Sequence, residues 1–224
     1  MDNIVGRLQS YFPRQQLQLI LGSLMGDARL ECRSKEIRQA YTARLRIHQS
    51  EKQKEYVFWK YQMLKDFVQK GPRHTKVWHD PKRNKDHYSW YFHTKTNKSF
   101  GKVHKLFYEN GIKIVSPEVL DTIEPFGLAV WYMDDGSNNG GDITLNTHSF
   151  IRKEQELIQS MLQRKFNVAS TIVKDRSKLK IAIGRYEFEK FLKIVEPHII
   201  SSMNYKIARP RNDLSHHTRQ AMIL

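Results

Sequence analysis

The chain has 224 residues, with 38 Lys and Arg against 23 Asp and Glu, and its net charge of +15 indicates a polyanionic partner, nucleic acid before membrane. A membrane partner is not expected because no apolar run approaches the roughly 20 residues of a spanning helix, and no secretory signal is evident at the N-terminus. The single cysteine, Cys32, excludes a disulfide framework and a thiolate zinc cluster, while an apolar fraction of 39% is enough for a packed core.

Two similar apolar segments begin the two halves of the chain. Residues 20–28 read Ile-Leu-Gly-Ser-Leu-Met-Gly-Asp-Ala, and residues 128–136 read Leu-Ala-Val-Trp-Tyr-Met-Asp-Asp-Gly. Their helical spacing predicts a helix that ends in a carboxylate, Asp27 in the first copy and Asp135 in the second. A repeat at this domain-sized interval predicts two similar halves. Two carboxylates brought together at the ends of paired helices would suit a hard divalent cation.

Small residues recur within both of these predicted helices. Gly22 and Gly26 lie four positions apart on one face of the first helix. A glycine inside a helix costs about 1 kcal/mol relative to alanine, so two of them need a structural reason. The second helix presents Gly127, Ala129 and Val130 as its smaller residues. We therefore expect the two helices to pack closely on each other.

After each helix the apolar period changes from helical to alternating. Strict alternation predicts a sheet with one face on a core and the other face open. The open face is expected to carry polar side chains: in the first half Arg29, Glu31, Arg33, Thr42, Arg44, Arg46 and His48, and in the second half Thr144, Asn146 and His148. Such groups hydrogen-bond phosphates and base edges, so these strands are candidates for a nucleic-acid surface.

Helices and second strand pairs follow in both halves. The predicted helices cover residues 51–67, 98–108, 152–164 and 186–195. The predicted strand pairs join residues 76–79 with 88–94 and residues 169–174 with 178–183. Each half is thus expected to run helix, strand, strand, helix, strand, strand, helix. The join lies near residues 110–125, which predicts domains of residues 1–112 and 113–224.

Further basic and aromatic residues have more than one interpretation. Lys82 and Arg83 in a predicted turn, with Lys178 and Lys180 on a predicted strand, are assigned to nucleic-acid contact. The histidines match no zinc-site spacing and are expected on a hairpin surface that faces the nucleic acid; they are His74, His79, His87 and His93. The tryptophans are expected in the core rather than stacked on bases; they are Trp59, Trp78 and Trp90.

The two motifs and the repeat that contains them resemble those of the LAGLIDADG homing endonucleases. The second motif is close to the family signature, the first is looser, and the repeat covers nearly the whole chain. The segment Leu145–Phe150, Leu-Asn-Thr-His-Ser-Phe, is similar to a strand of one subgroup. The resemblance implies an α+β fold of two pseudo-symmetric αββαββα repeats. It further implies a saddle of antiparallel sheets with the two motif helices packed at its centre, in a monomer.

The resemblance also implies an activity, which is site-specific cleavage of both strands of double-stranded DNA at a long asymmetric target. Hydrolysis would depend on Mg²⁺, with Mn²⁺ able to substitute, and the enzyme would be encoded within an intron. Two functional classes stay open, and the first is this DNA endonuclease. The alternative is an RNA-splicing maturase that acts on its own intron RNA, or a DNA-binding protein of the same fold that does not cleave. The expected location is intracellular, in a mitochondrion, a chloroplast or a bacterial or archaeal cytoplasm.

The family's functional residues can be placed on this chain by position. Metal ligands would be the carboxylates of Asp27 and Asp135, with backbone carbonyls at Gly26 and Asp134. Polar side chains that position water would be His48 in one half and His148 in the other. Basic residues that stabilise charge at the scissile phosphate would be Lys206 and, in the other half, Lys113. Intact Asp27, Asp135 and Lys206 favour cleavage, because a pure binder has no need of acid and base at these positions.

Overall fold

The structure is a computed structural model that describes residues 4–32 and 42–210. Eight α-helices lie in these ranges: α1 (Ile4–Gln9), α2 (Arg14–Met25), α3 (Lys54–Leu64), α4 (Lys98–Phe107), α5 (Pro117–Thr122), α6 (Pro125–Asp135), α7 (Arg152–Phe166) and α8 (Arg185–Val195). Short 3-10 helices cover Glu51–Gln53, Lys65–Phe67, Glu196–His198 and Ser201–Ile207. Among the residues described, no helix has the length and apolar character needed to cross a membrane.

Ten strands complete the described fold: β1 (Arg29–Cys32), β2 (Ala43–Ser50), β3 (Arg73–Asp80), β4 (Lys85–His93), β5 (Tyr108–Glu109), β6 (Ile112–Lys113), β7 (Gly136–Asn138), β8 (Ile143–Leu145), β9 (Thr171–Asp175) and β10 (Lys178–Ile183). Two four-stranded antiparallel sheets have the orders β1-β2-β4-β3 and β7-β8-β10-β9. The sheets therefore share one topology, and the predicted α+β repeat of helix, two strands, helix, two strands and helix is confirmed.

The connection between the halves contains a small hairpin that the sequence pattern did not predict. Strands β5 and β6 pair across Asn110 and Gly111, which both adopt positive φ angles of 51° and 79°. Asparagine and glycine tolerate this left-handed conformation better than other residues, so they form the turn. The hairpin spans the predicted domain boundary and places Lys113 at the end of β6. The boundary itself stays a prediction.

Helices α2 and α6 are packed directly against each other, as the small residues predicted. A Cβ built on Gly22 would lie 2.3 Å from the carbonyl oxygen of Gly127 and 2.8 Å from Cβ of Val130. A Cβ built on Gly26 would lie 2.4 Å from Cβ of Asp134. Glycine is therefore present at both positions because the second helix occupies the space of a side chain. This contact fixes the relative position of the two helix ends.

Polar contacts reinforce the helix pair at its other end. The Gln18 side chain donates to the carbonyl oxygen of Thr122 at 2.9 Å and accepts from the backbone N–H of Glu124 at 2.9 Å. Gln18 is almost fully buried, so these two bonds satisfy a side chain that would otherwise be costly to bury. Arg14 Nε also lies within hydrogen-bond distance of both Glu124 carboxylate oxygens, at 3.0 and 2.8 Å.

Gly22→Ala is expected to lower the free energy of unfolding by about 1–3 kcal/mol, because overpacking forces the backbones of α2 and α6 apart. Urea unfolding of the purified protein measures the effect. Gly71→Ala is the matched control, since a Cβ at Gly71 would make only an ordinary contact with the Tyr61 ring, at 3.8 Å. We expect the control to be neutral or slightly stabilising. Equal stability of the two variants would contradict close packing at Gly22.

Strand β8 is shorter than the alternation in the sequence predicted, so the predicted strand is wrong beyond Leu145. The alternation from Thr144 to His148 predicted one continuous strand, but β8 ends at Leu145 and His148 lies in a turn. The physical reason is that Thr147 bonds locally: its N–H donates to Leu145 O, and its carbonyl accepts from the N–H of Phe150 and from Gln155 Nε2. With its backbone groups satisfied there, the chain leaves the sheet.

Candidate active site and nucleic-acid face

The two motif carboxylates lie at matching ends of the central helices. Asp27 follows the end of α2 and is exposed, whereas Asp135 is the last residue of α6 and is partly buried. Burial, together with the negative charges of Asp27 and Asp134, raises the pKa of Asp135 to about 7. The structure thus brings Asp27 and Asp135 near enough to repel each other. A carboxylate pair of this kind favours the binding of a cation, which would relieve the repulsion.

A lysine binds the end of each motif helix, and Lys206 is buried while Lys113 is half-buried. Lys206 Nζ donates to the carbonyl oxygens of Tyr132, Met133 and Gly136 at 3.1, 2.5 and 2.9 Å. Lys113 Nζ donates to three carbonyl oxygens at the end of α2, with distances of 2.9 Å to Leu24, 3.3 Å to Gly26 and 2.8 Å to Ala28. A cation at a helix C-terminus is stabilised by the helix dipole. The two lysines are therefore structural counterparts, as the resemblance implied.

The bonding of these lysines bears on the role predicted for them. An ammonium group has three N–H donors, and each of the two lysines directs them to three carbonyls. Burial lowers the pKa of both Lys113 and Lys206, although the negative charges of nearby aspartates oppose this. In this arrangement the lysines hold the backbone next to Asp27 and Asp135. Their contact with a scissile phosphate stays a prediction.

Asp134 belongs to a buried ion pair rather than to the motif carboxylates. Its side chain is inaccessible to solvent and so is that of Lys60, whose Nζ lies 2.6 and 2.9 Å from the two Asp134 oxygens. Gln49 Nε2 also donates to Asp134 Oδ1 at 3.2 Å, and the Tyr56 hydroxyl bonds to Val130 O at 3.2 Å. The carboxylate of Asp134 is therefore bound by Lys60 and Gln49, and only its backbone carbonyl stays a predicted ligand.

The residues that bind Asp134 were missed by the sequence analysis. Lys60 and Gln49 come from α3 and β2 of the first half, while Asp134 comes from α6 of the second half. A signal was present, because Lys60 lies in the helical apolar stripe formed with Tyr56, Val57 and Leu64. A lysine within such a stripe indicates a buried partner, since burying an unpaired charge is costly.

The residues at the helix ends suit magnesium better than zinc. Among the residues that the structure describes, no group of three or more His, Cys, Asp or Glu side chains could hold a metal ion. Zinc sites need three or four such ligands, whereas Mg²⁺ keeps several waters and binds through one or two carboxylates plus substrate phosphates. Asp27 and Asp135 provide that number of carboxylates. Of the predicted carbonyl ligands, Gly26 O already accepts from Lys113.

His48 lies on β2, opposite the first motif carboxylate. Arg29 pairs with Arg46 in the β1–β2 register, and continuing this register by two residues pairs Asp27 with His48. Nε2 of His48 lies 2.5 Å from Ser89 Oγ, and Nδ1 lies 3.4 Å from Nη2 of Arg46. Because a guanidinium only donates, Nδ1 is assigned as the acceptor and Nε2 as the protonated nitrogen. Burial, followed by the charges of Arg46 and Arg29, lowers the pKa of His48.

His148 does not occupy the matching position in the second half, which corrects the predicted placement. Gly136 pairs with Leu145, so the residue opposite Asp135 is Asn146, whose N–H donates to Asp135 O at 3.0 Å. His148 instead bonds through Nε2 to Asp175 Oδ2 at 3.1 Å. The β7–β8 register is the reason, because it leaves His148 two residues beyond the position opposite Asp135. Asn146 is therefore better placed than His148 to position water beside Asp135.

Thr144 was expected on an open face, and the structure places it in a buried position with 8% of its surface exposed. It lies on the interior strand β8, where it pairs with Ser137 on one side and Ala182 on the other. Its short side chain is covered by these neighbouring strands. Thr144 could contact nucleic acid only if the neighbouring strands moved, whereas the arginines of β2 have longer side chains that are partly exposed.

The open face of the first sheet is organised by one acidic residue, Glu31. Arg44 donates two bonds to Glu31 Oε2, at 2.9 and 2.6 Å, and Arg29 donates two to Oε1, at 3.2 and 2.9 Å. Arg46 lies 3.5 Å from Oε1, and His93 is within 3.8 Å. Although burial opposes it, hydrogen bonding by Arg29 and Arg44 lowers the pKa of Glu31 to about 2. Glu31 thus aligns three arginines predicted to contact nucleic acid.

Glu31→Gln is expected to destabilise the protein at pH 7, with a difference from wild type that shrinks in acid. A carboxyl whose folded pKa is lowered contributes stability above its unfolded pKa of 4.5, and this stability is lost as the pH falls toward 2. Urea unfolding of both proteins between pH 7 and pH 3 measures the difference. A difference that stays constant over this range would contradict the ionised pairing of Glu31 with the arginines.

The remaining residues predicted to contact nucleic acid are basic side chains in three places. Lys82 and Arg83 lie exposed in the β3–β4 turn, where their N–H groups donate to Asp80 Oδ1 at 3.0 and 3.3 Å. Lys178 and Lys180 lie on the same face of β10 as Ala182, which is opposite Thr144 of β8. Lys180 Nζ forms an ion pair with Asp175 Oδ2 at 3.0 Å. Arg33 lies outside the described residues. Contact of these residues with nucleic acid stays a prediction.

The β3–β4 hairpin corrects two expectations about aromatic residues. Trp59 and Trp90 pack against the core as expected, but Trp78 is 50% exposed. His87 and His93 lie on the open face of the sheet, with Tyr91 and Arg46. His74 and His79 lie on the opposite face, where His74 pairs with the core-facing Trp90 and His79 pairs with Asp86. Only two of the four histidines therefore lie on the face predicted to contact nucleic acid.

Comparison with known proteins places this geometry in a family. A family model described as the LAGLIDADG DNA endonuclease family matches residues 17–191. The DNA endonuclease I-ChuI of Chlamydomonas applanata is 30% identical over 211 residues, covering 87% of this chain and 95% of that protein. The cytochrome b mRNA maturase bI2 of Debaryomyces hansenii is 27% identical over 205 residues, covering 87% and 74%. The solved homing endonuclease I-WcaI bound to its DNA recognition sequence superposes with a TM-score of 0.78 at 24% identity, covering 93% of each chain.

The family model covers both motifs. The residues matched by the family model contain Asp27 and Asp135 together with both four-stranded sheets down to α8. The likeness to the solved structure concerns the fold, which the two repeats of this chain reproduce. Because the family model matches well over half of the sequence, this chain is a member of the LAGLIDADG DNA endonuclease family.

Proposed function

We propose that this chain is a site-specific DNA endonuclease that hydrolyses both strands of a long asymmetric target. The observation that carries the proposal is the placement of Asp27 and Asp135 at matching ends of two helices that pack on each other, one from each half. The names of relatives that are DNA endonucleases support the same activity. The gene would lie within an intron, as it does for relatives named intron-encoded endonucleases.

The proposed cofactor is Mg²⁺, with Mn²⁺ able to replace it, held by Asp27, Asp135 and phosphate oxygens of the DNA. When bound, the ion would neutralise charge on the phosphate and lower the pKa of a water molecule. His48 would orient that water through Nδ1 after Arg46 turns toward the DNA. Lys113 and Lys206 would fix the backbone at the two carboxylates and offset their negative charge. We propose that the chain acts as a monomer, because each half supplies one carboxylate.

The target would be read by the open faces of the two sheets. Strands of this kind can lie in the major groove, where each base pair presents its own pattern of donors and acceptors. On the first sheet this face carries Arg29, Arg44 and Arg46, and Glu31 holds the guanidinium groups of Arg29 and Arg44 in place before DNA binds. Such prior alignment reduces the entropy lost on binding.

Arg44→Ala is expected to relax specificity at particular base pairs of one half-site. A bidentate arginine–guanine contact is worth about 1–3 kcal/mol of discrimination against the wrong base. The measurement compares the base preferences of wild type and variant on a library of single-base-pair substitutions in the target. Lys82→Ala is the control, for which we expect a uniform loss of affinity and a shallower salt dependence. A uniform loss in Arg44→Ala would assign this residue to a phosphate instead.

The experiment that tests the function is a selection for cleaved molecules from a randomised double-stranded DNA library in the presence of Mg²⁺. We expect recovery of a long asymmetric consensus that disappears when EDTA replaces Mg²⁺. If the protein binds but never cuts any library member, a non-cleaving role is the better description. The alternative of RNA splicing has a specific support, the similarity to a maturase over 87% of the chain. Splicing of the intron that carries this gene, with and without the protein, tests it separately.

The cellular location is proposed from the function alone. An intron-encoded endonuclease must reach the genome that carries its target, which places it inside a cell, in an organelle or in a bacterial or archaeal cytoplasm. No membrane partner is proposed, and the net charge of +15 suits DNA or intron RNA. Fractionation of the source cells followed by immunodetection tests this proposal.

A further inference from the structure

An irregularity in the β3–β4 pairing changes which side chains face the DNA. Lys76 pairs with Tyr88, but the next pair along the strands is Trp78 with His87, so Val77 forms a bulge. Alternation without the bulge would have put Trp78 on the core face with Lys76 and Trp90. The extra residue moves Trp78 to the open face instead, which is the re-aiming that β-bulges produce.

Trp78 forms a flat apolar surface together with His87. The two rings are stacked with centroids 4.6 Å apart and planes only 6° from parallel. Half of the Trp78 surface and 54% of Val77 nevertheless remain exposed. Both residues line an open cleft of about 450 Å³ whose other walls include Asp27 and His48. An exposed apolar surface in a strongly basic sheet therefore lies beside a motif carboxylate.

The chemistry of the major groove limits what this surface can contact. Base edges there present hydrogen-bond donors and acceptors, and the apolar group they present is the 5-methyl group of thymine. Trp78 stacks on His87 and lies on the same face as Arg46 and His48, so it would meet base edges and not the faces of stacked bases. Apolar contact with a thymine methyl is one of the established modes of direct readout.

We propose that Trp78 is a specificity-determining residue that contacts the 5-methyl group of a thymine in the half-site bound by the first half of the chain. The proposal rests on the proposed DNA-cleaving function. The bulge at Val77 positions the indole, and the His87 ring supports its far face. The thymine would lie close to the cleavage centre, because the same cleft contains Asp27.

The test uses the duplex obtained by cleavage selection and copies in which each thymine in turn is replaced by deoxyuridine, which lacks only the methyl group. For wild type we expect one position of the first half-site where the replacement lowers kcat/KM about fourfold, the effect of burying one methyl group. Trp78→Ala should remove that difference. Trp78→Phe, which keeps an apolar ring, should retain part of it.

Tyr186→Ala is the matched control, since Tyr186 is a 99% exposed aromatic residue on α8 outside the first sheet. We expect this variant to keep the full deoxyuridine effect. The inference is wrong if no thymine shows the effect in wild type, or if Trp78→Ala retains it. Either outcome leaves the proposed function intact, because the duplex is still cleaved. Failure to select any cleaved duplex would instead overturn the proposed function.

Discussion

Asp27→Asn and Asp135→Asn should each abolish double-strand cleavage while DNA affinity holds or rises. Each change removes a carboxylate that is proposed to hold the catalytic cation, so we expect the rate to fall on the order of a hundredfold or more. Affinity is preserved because a negative charge near the DNA phosphates is lost and no positive charge is removed. Nicking and double-strand cutting of the selected target, with gel-shift titrations, measure the two properties.

Asp142→Asn is the control for these variants, since Asp142 is an exposed carboxylate in the loop between β7 and β8. It should leave both cleavage and binding at the wild-type level. The assignment of Asp27 and Asp135 fails if either variant cuts at the wild-type rate. Loss of binding together with cleavage would instead indicate that the aspartates support the fold of the helix ends.

Lys60→Met should be the most destabilising single change considered for this chain. It leaves the Asp134 carboxylate in a solvent-free position without its ion-pair partner. Removing one member of a buried pair costs about 3–5 kcal/mol, because the remaining charge is uncompensated. Urea unfolding with circular dichroism measures the loss.

The double variant Lys60→Met with Asp134→Asn separates this cause from lost packing. Because it removes both charges, we expect it to regain a large part of the stability that Lys60→Met loses. Lys98→Met, at an exposed lysine of α4, is the control and should change stability by no more than about 0.5 kcal/mol. A loss below 1 kcal/mol in Lys60→Met would contradict a buried ionic pair at Asp134.

The elements that the sequence predicted well have strong periodicity and local signals. The helix expected over residues 51–67 is present as α3 with a 3-10 turn at each end, and alternation along β2 matches its burial from Ala43 to Gln49. The packing of α2 on α6 could be predicted because glycines within a helix need a structural reason, and Gly22 has one in Gly127. The signals for these features lie within single elements of the chain.

The features that the sequence did not predict depend on contacts between different elements. The end of β8 is determined partly by Gln155, which binds the carbonyl of Thr147 from α7. The exposure of Trp78 depends on a bulge that alternation alone cannot locate. The partner of Lys60 lies in the other half of the chain, so a helical stripe could indicate that a partner exists without identifying Asp134.

The most direct test of the account is cleavage of the selected target with a different label on each strand, under conditions where light scattering shows a monomer. We predict that one chain cuts both strands in Mg²⁺, that EDTA stops both cuts, and that Mn²⁺ restores both. Cleavage of only one strand, or undiminished cleavage in EDTA, would contradict a shared metal-dependent site formed by Asp27 and Asp135.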